Sequence, residues 1–207
     1  MPCVPDHYFS AEPTSADERR TITVQLAGRD VAVRTAAGVF SPGRVDLGTQ
    51  VLLRTVPAPP ASGDLLDLGC GWGPIALTMA LQSPGARVWA VDVNRRALDL
   101  LGRTAADLGL RNVRAVTPDD VPADVRFSVV WSNPPIRVGK AELHAMLDLW
   151  LGRLSGAGAA AHLVVQRNLG ADSLQRWIGE ELAGTHGLVV ERVASAKGFR
   201  VLRVARA

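Results

Sequence analysis

The sequence predicts an α/β protein built on a doubly wound, mostly parallel sheet, and three observations carry that prediction. From residue 63 onward, short apolar runs alternate with stretches of helical period, the order of repeated strand and helix units. The runs DLLDL, ARVWAV, FSVVW and AAAHLVV are continuously apolar, so both faces of these strands are covered. At the end, GLVVERV and FRVLRVA flank ASAKG, which reads as a terminal hairpin that brings in an antiparallel strand.

In chain order, TITVQL and VAVRT alternate in polarity around AGRD and predict an N-terminal β-hairpin appendage, with Ile22, Val24, Leu26, Val31 and Val33 on its inner face. GVFSPGR is a loop, and VDLGTQVLLRTV a helix that must stop before PAPP. Residues 1–60 therefore read as a hairpin and helix packed on a core formed by 61–207, one domain overall. The core begins with strand DLLDL and helix PIALTMALQ, whose Pro74 suits a first helical turn. Strand ARVWAVDV leads to helix RRALDLLGRTAADLG, in which Ala97, Leu98, Leu101, Ala105 and Leu108 share one stripe. NVRAV and FSVVW are strands, KAELHAMLDLWLGRL a helix, AAAHLVVQ a strand and ADSLQRWIGEELAG a helix.

Composition narrows the class. With 47% hydrophobic and 21% charged residues in 207, the chain has ordinary globular composition. Apolar runs stay well short of the roughly 20 residues that span a bilayer. MPCVPDHYF lacks the cationic start and apolar stretch of a signal peptide, so a cytoplasmic protein without a membrane partner is expected. Cys3 and Cys70 lie in no CxxC pair or metal-ligand spacing; free thiols and no metal centre follow. Net charge is +3, and in the last twenty residues Arg192, Lys197, Arg200, Arg203 and Arg206 face only Glu191, an excess that suits either a solvated basic terminal strand or contact with a polyanion.

Gly69, Gly71 and Gly73 follow the first core strand directly, at the carboxyl end where open α/β sheets bind ligands. A dinucleotide fingerprint needs glycine where Pro74 stands, and Asp67, two residues before the first glycine, opposes a pyrophosphate. A carboxylate there suits the ammonium of an amino-acid-like ligand. Asp92 ends the second strand nineteen residues after Gly73, the place of an acidic group that binds ribose hydroxyls. An adenosine cofactor with an amino-acid tail, S-adenosyl-L-methionine, fits all of these, with Asp119 (or its neighbour Asp120) on the adenine side. The fourth strand runs into WSNPPIRVGK, where Pro134 and Pro135 end sheet pairing and set a stiff corner.

Through HYFS at 7–10, GVFSPGRVDLGT at 38–49, LDLGCGWG, VDVN, SNPPIRVGK and KGFRVL at 197–202, the chain resembles class I S-adenosylmethionine-dependent methyltransferases. Within them it is similar to the small-methyltransferase family that includes ribosomal RNA small subunit methyltransferase C, a guanine-N2 enzyme. The resemblance implies a Rossmann-like sheet of seven strands with the last antiparallel. It also implies methyl transfer to an exocyclic amino group of a base in RNA, guanine N2 of small-subunit ribosomal RNA foremost, with RNA or the small ribosomal subunit as partner. Asn133, Pro134 and Pro135 become the catalytic corner: the Asn133 oxygen and a Pro134 carbonyl left free by the prolines would accept the two amine hydrogens. Ile136, Arg137 and Lys140 follow as substrate-binding residues, the two cations beside phosphates. Phe40 and Thr49 border the cofactor, and Tyr8 and Phe9 either lid the site or anchor the N-terminal segment.

Two departures stand out. Some members carry two methyltransferase-like halves where this chain has one, and related amino-methyltransferases often place Phe or Tyr after NPP to stack on the base, where this chain has Ile136. Methylation of a glutamine side-chain amide on a protein, and a catalytically silent RNA-binding module of the same fold, are the competing readings.

Overall fold

The computed structural model describes residues 18–207. Cys3 and the HYFS segment with Tyr8 and Phe9 lie outside the described residues. Alternating polarity pairs β1 (Arg20–Leu26) with β2 (Arg29–Thr35) as an antiparallel hairpin, Ile22 opposite Val33 and Val24 opposite Val31. Leu26, Val31 and Val33 are buried and Ile22 and Val24 partly so, the face expected from the pattern.

Helix α1 (Leu47–Thr55) starts at Asp46, whose carboxylate accepts from the N–H groups of Gly48 (2.8 Å) and Thr49 (3.3 Å). Strands β3 (Asp64–Leu68), β4 (Arg87–Val91), β5 (Val113–Val116), β6 (Val129–Ser132) and β7 (Ala160–Gln166) run parallel. They join β8 (Leu188–Ala196) and β9 (Phe199–Arg206) in a seven-stranded sheet of order β5-β4-β3-β6-β7-β9-β8. β9 runs antiparallel to both of its neighbours, β7 and β8. Helices α2 (Pro74–Gln82) and α3 (Arg95–Asp107) serve the first half, and α4 (Lys140–Leu151), α5 (Ala171–Trp177) and α6 (Ala183–His186) the second.

Successive side chains along a strand point to opposite faces, so Leu65, Val88 and Ala90 enter a core with α1, α2, α3 and the hairpin. Leu66, Trp89 and Val91 enter the opposite core with α4 and α5. The chain works outward from β3 to β5, then returns to β6 on the other side of β3, a topological switch whose crevice opens at the carboxyl ends of both strands.

Two expectations change. The helix read over ADSLQRWIGEELAG is broken by a π-helical stretch at Ile178–Leu182 between α5 and α6 and runs on to His186; Leu174, Ile178 and Leu182 are buried along it. The basic excess at the end of the chain is largely spent internally. Arg203 pairs with Glu191 (3.0 Å), Arg200 pairs with Asp172, and Arg206 donates to the carbonyls of Leu154 and His186. Among the described residues no helix is long and apolar enough to cross a membrane.

Candidate active site

At the end of β3 the chain turns through the glycine loop, whose backbone is tied to β4. Gly69 and Cys70 donate to the Val91 carbonyl (2.8 and 3.1 Å), and Gly71 donates to Asp92 Oδ2 (2.8 Å). Asp92 Oδ1 takes the Asn94 N–H (2.9 Å), so each oxygen organises backbone on one side and keeps acceptor capacity for a ligand. Burial raises the Asp92 carboxyl above its usual range, and the N–H groups of Asn94 and Gly71 pull it back.

A cavity of about 630 Å³ opens here, a size typical of ligand sites, with Gly69, Gly71, Asp92, Asn133, Pro134, Pro135, Ile136 and Arg137 on its wall. Phe40, Val93, Ala97 and Pro118 complete the half beside the glycine loop. Thr49 lines a small side cavity of about 20 Å³ with Cys70, Trp72 and Asn133.

Several expected residues stand elsewhere. Gly73 is off both walls. Its φ is +93° and a Cβ would collide with both methyls of Leu101, so glycine is required for the turn and for close packing of α2 on α3. Asp67 is fully buried behind the loop, off the cavity wall, with Oδ2 accepting the Ala76 N–H (2.8 Å) at the start of α2. Its Oδ1 has no hydrogen-bond partner among the described residues, and burial, then the Asp92 charge, pushes its carboxyl well up. Asp119 and Asp120 are exposed beside the wall residue Pro118, and Asp120 accepts from the Thr117 hydroxyl (2.7 Å). Lys140 opens α4 on the surface, outside the cavity.

The NPP corner differs from expectation in one atom. The Pro134 carbonyl is not free: Pro135 (φ −74°, ψ 78°) makes an inverse γ-turn that returns the Ile136 N–H to it at 2.9 Å. One lone pair remains for a ligand. A short 3₁₀ turn then carries Ile136–Val138, with Val138 donating to the Pro135 carbonyl (3.2 Å).

Asp46 was not foreseen. Asn133 Nδ2 donates to Asp46 Oδ2 (3.0 Å) and Thr49 Oγ1 (3.2 Å). Because a carboxylate only accepts, this contact fixes the amide, nitrogen toward α1 and oxygen free for the cavity. Asp46 and Phe199 lie in the segments GVFSPGRVDLGT and KGFRVL, which by themselves give neither a role; Glu142 and Gln166, also on the wall, carry no sequence signal.

The residues present fit S-adenosylmethionine: a carboxylate with spare lone pairs beside an apolar half-chamber, a glycine loop at backbone approach, and a side cavity under Thr49. This strand order, loop and acidic strand end define an S-adenosylmethionine-dependent methyltransferase. More narrowly, the Methyltransferase small domain model matches residues 30–203, and the chain belongs to that family. Uncharacterized protein YbxB of Bacillus subtilis (strain 168) is 31% identical over 201 residues, 96% of this chain and 97% of that protein. Ribosomal RNA small subunit methyltransferase C of Aeromonas hydrophila is 34% identical over 181 residues, 86% of this chain but 50% of the relative, so the chain spans half its length. Among solved structures, the fold is shared with the T. thermophilus 16S rRNA N2 methyltransferase RsmC, in complex with AdoMet and guanosine. Its TM-score is 0.77 at 23% identity, over 94% of this chain and 52% of that one.

Proposed function

We propose that the protein methylates an exocyclic amino group of a base in RNA, with guanine N2 of small-subunit ribosomal RNA as the target. The observation that carries this reading is the amide of Asn133, held by Asp46 and Thr49 so that its oxygen is the acceptor offered to the cavity. S-adenosyl-L-methionine, when bound, supplies a methyl already activated by its sulfonium. The chain's own task is to align an amine with it and exclude water.

An exocyclic amine has its lone pair drawn into the ring. Asn133 Oδ1 and the remaining lone pair of the Pro134 carbonyl accept its two hydrogens, favour a pyramidal nitrogen and stabilise the positive charge it gains as the N–C bond forms and the C–S bond breaks. No strong base is needed, since the methylated nitrogen then loses a proton to water. On the cofactor side, Asp92 would hold the ribose hydroxyls and Val93, Ala97 and Pro118 the adenine, with Phe40 on the same wall and Thr49 in the side cavity. Asp67 acts through the loop, its bond to the Ala76 N–H fixing the start of α2 behind the glycines.

Arg137 is exposed at the rim and Lys140 follows on the surface, placed for phosphates flanking an extruded base. Relatives named ribosomal RNA small subunit methyltransferase C support this choice over a protein amide. Small ribosomal subunits lacking this methylation, incubated with tritiated cofactor, provide the test. Label should appear as N2-methylguanosine in digested RNA and vanish with Asn133→Ala; label in ribosomal protein would establish the amide reading instead. Replacing Arg137 and Lys140 together by alanine should flatten the slope of log affinity against log salt by about 1.4–1.8, at roughly 0.7–0.9 per lost phosphate contact. Parallel slopes would place the RNA path elsewhere.

A further inference from the structure

We infer that Phe199 is the base-stacking wall of the acceptor chamber, supplying the aromatic face that the corner lacks at Ile136. The inference rests on the reading of the acceptor as a nucleobase. Among the described residues, three aromatic rings line the large cavity: Phe40, Trp150 and Phe199. Phe40 belongs to the glycine-loop side, where a Cβ on Gly71 would lie 3.9 Å from its own Cβ. Trp150, on α4, is sunk in the core at 2% exposure, with little surface to offer. Phe199 is half-buried, opens β9 opposite Gln166, and so stands at the carboxyl end of β7, the strand beside the one that ends at Asn133.

The chain is shaped around this ring. Gly48 lies in the first turn of α1. A Cβ there would come within 2.9 Å of Phe199 Cε1 and 3.2 Å of Cδ1. The missing side chain lets the ring lie against the helix turn that carries Asp46 and Thr49, the two residues that hold Asn133. Stacking ring and amine grip are thus referenced to the same turn of backbone. Met146, Val138 and Val164 add apolar wall for the faces of a base, with Glu142 and Gln166 as polar wall residues. Aromatic stacking tolerates any base, so Phe199 sets affinity and depth of insertion while the corner selects the amine.

The test compares Phe199→Leu and Phe199→Met, which keep apolar volume without a ring, with Phe199→Tyr, which keeps the ring. Methyl transfer to unmodified small-subunit RNA gives KM and kcat, calorimetry the cofactor Kd, and thermal unfolding the integrity of the fold. Loss of the stack should raise KM for RNA about 10- to 100-fold in the Leu and Met variants, leave cofactor Kd and melting unchanged, and be absent in Phe199→Tyr. Ile136→Phe placed in the Phe199→Leu background should recover part of the loss. Quenching of 2-aminopurine riboside by protein saturated with S-adenosylhomocysteine should persist with Tyr and disappear with Leu and Met. Wild-type KM in folded Leu and Met variants would overturn the assignment while leaving RNA methylation standing. Wild-type protein that labels protein and no RNA would overturn the underlying reading and this inference together.

Discussion

Asn133 can accept an amine hydrogen only if its amide points the right way, and Asp46 decides that orientation. Asp46→Ala should lower turnover about tenfold or more and cost about 1 kcal/mol of stability through the lost cap, while cofactor Kd stays put. Asn133→Ala should cost roughly 100-fold or more. Single-turnover rates measure both, and wild-type turnover in the Asp46 variant would mean that Thr49 suffices. Asp92→Ala should weaken cofactor binding by about 1.5–3 kcal/mol in calorimetry, because it removes charge-assisted bonds to ribose and releases the Gly71 and Asn94 N–H groups. The place of Asp92 on the cavity wall was legible from a strand end and a fixed distance from the glycines. Asp46 was not, since its bond to Asn133 spans 87 positions and exists only once α1 meets the end of β6. The Pro134 carbonyl was misread for a related reason: proline removes donors, but a reversal at Pro135 returns the Ile136 donor to it.

Elements were legible where burial is simple. Continuous apolar runs gave the parallel strands, and Leu65 against Leu66 shows why: one feeds each core. The π-helical stretch in the last helical region left no trace because its residues suit an α-helix equally well. The turn between β3 and α2 makes a sharp claim: Gly73→Ala should destabilise by about 3 kcal/mol or more, adding positive-φ strain to collision with the buried Leu101. Leu101→Ala in that background should relieve the collision and leave the strain, which urea unfolding resolves. Strand β7 makes a pH-dependent claim. His162 lies between Trp131 on β6 and Arg203 on β9, 5% exposed. Burial first, then the Arg203 charge, lowers its pKa from 6.5 to about 4, with Glu191 opposing. The unfolded chain therefore binds a proton that the folded chain refuses. Stability is full above pH 6.5, falls as pH drops from there to about 4, and levels off below, a change on the order of 3 kcal/mol. His162→Gln should flatten that limb in denaturant titrations, and an unchanged slope would locate the titrating group elsewhere.

Among the described residues, the hairpin and helix read up to residue 60 pack directly on the rest of the chain. Leu26, Val31, Val33, Val45 and Leu52 share one core cluster with Ile75, Leu98 and Leu101. Hydrogen bonds also cross the division: Arg34 N–H to Thr104 Oγ1 (3.0 Å), Asn94 Nδ2 to the Gly38 carbonyl (2.8 Å) and Trp72 Nε1 to the Ser41 carbonyl (3.1 Å). The ion pairs Arg19–Asp99 and Arg34–Asp107 (both 2.7 Å) are about half exposed and screened by solvent, so apolar contact does the joining. Cavity walls are joint as well, with Phe40 and Asp46 from the first segment and Asp92 and Asn133 from the second. The chain should therefore unfold in one transition, with coincident midpoints by far-ultraviolet circular dichroism and tryptophan fluorescence. Cofactor at 100-fold its Kd should raise the unfolding free energy by about 2.7 kcal/mol for the whole molecule at once. Residues 61–207 alone would expose the α2 and α3 core face and lack the turn that fixes Asn133. That fragment should show no cooperative melt and no cofactor heat. A cooperative, cofactor-binding fragment would instead make the first sixty residues a separable cover, and Asp46 would then act on Asn133 from outside the catalytic unit.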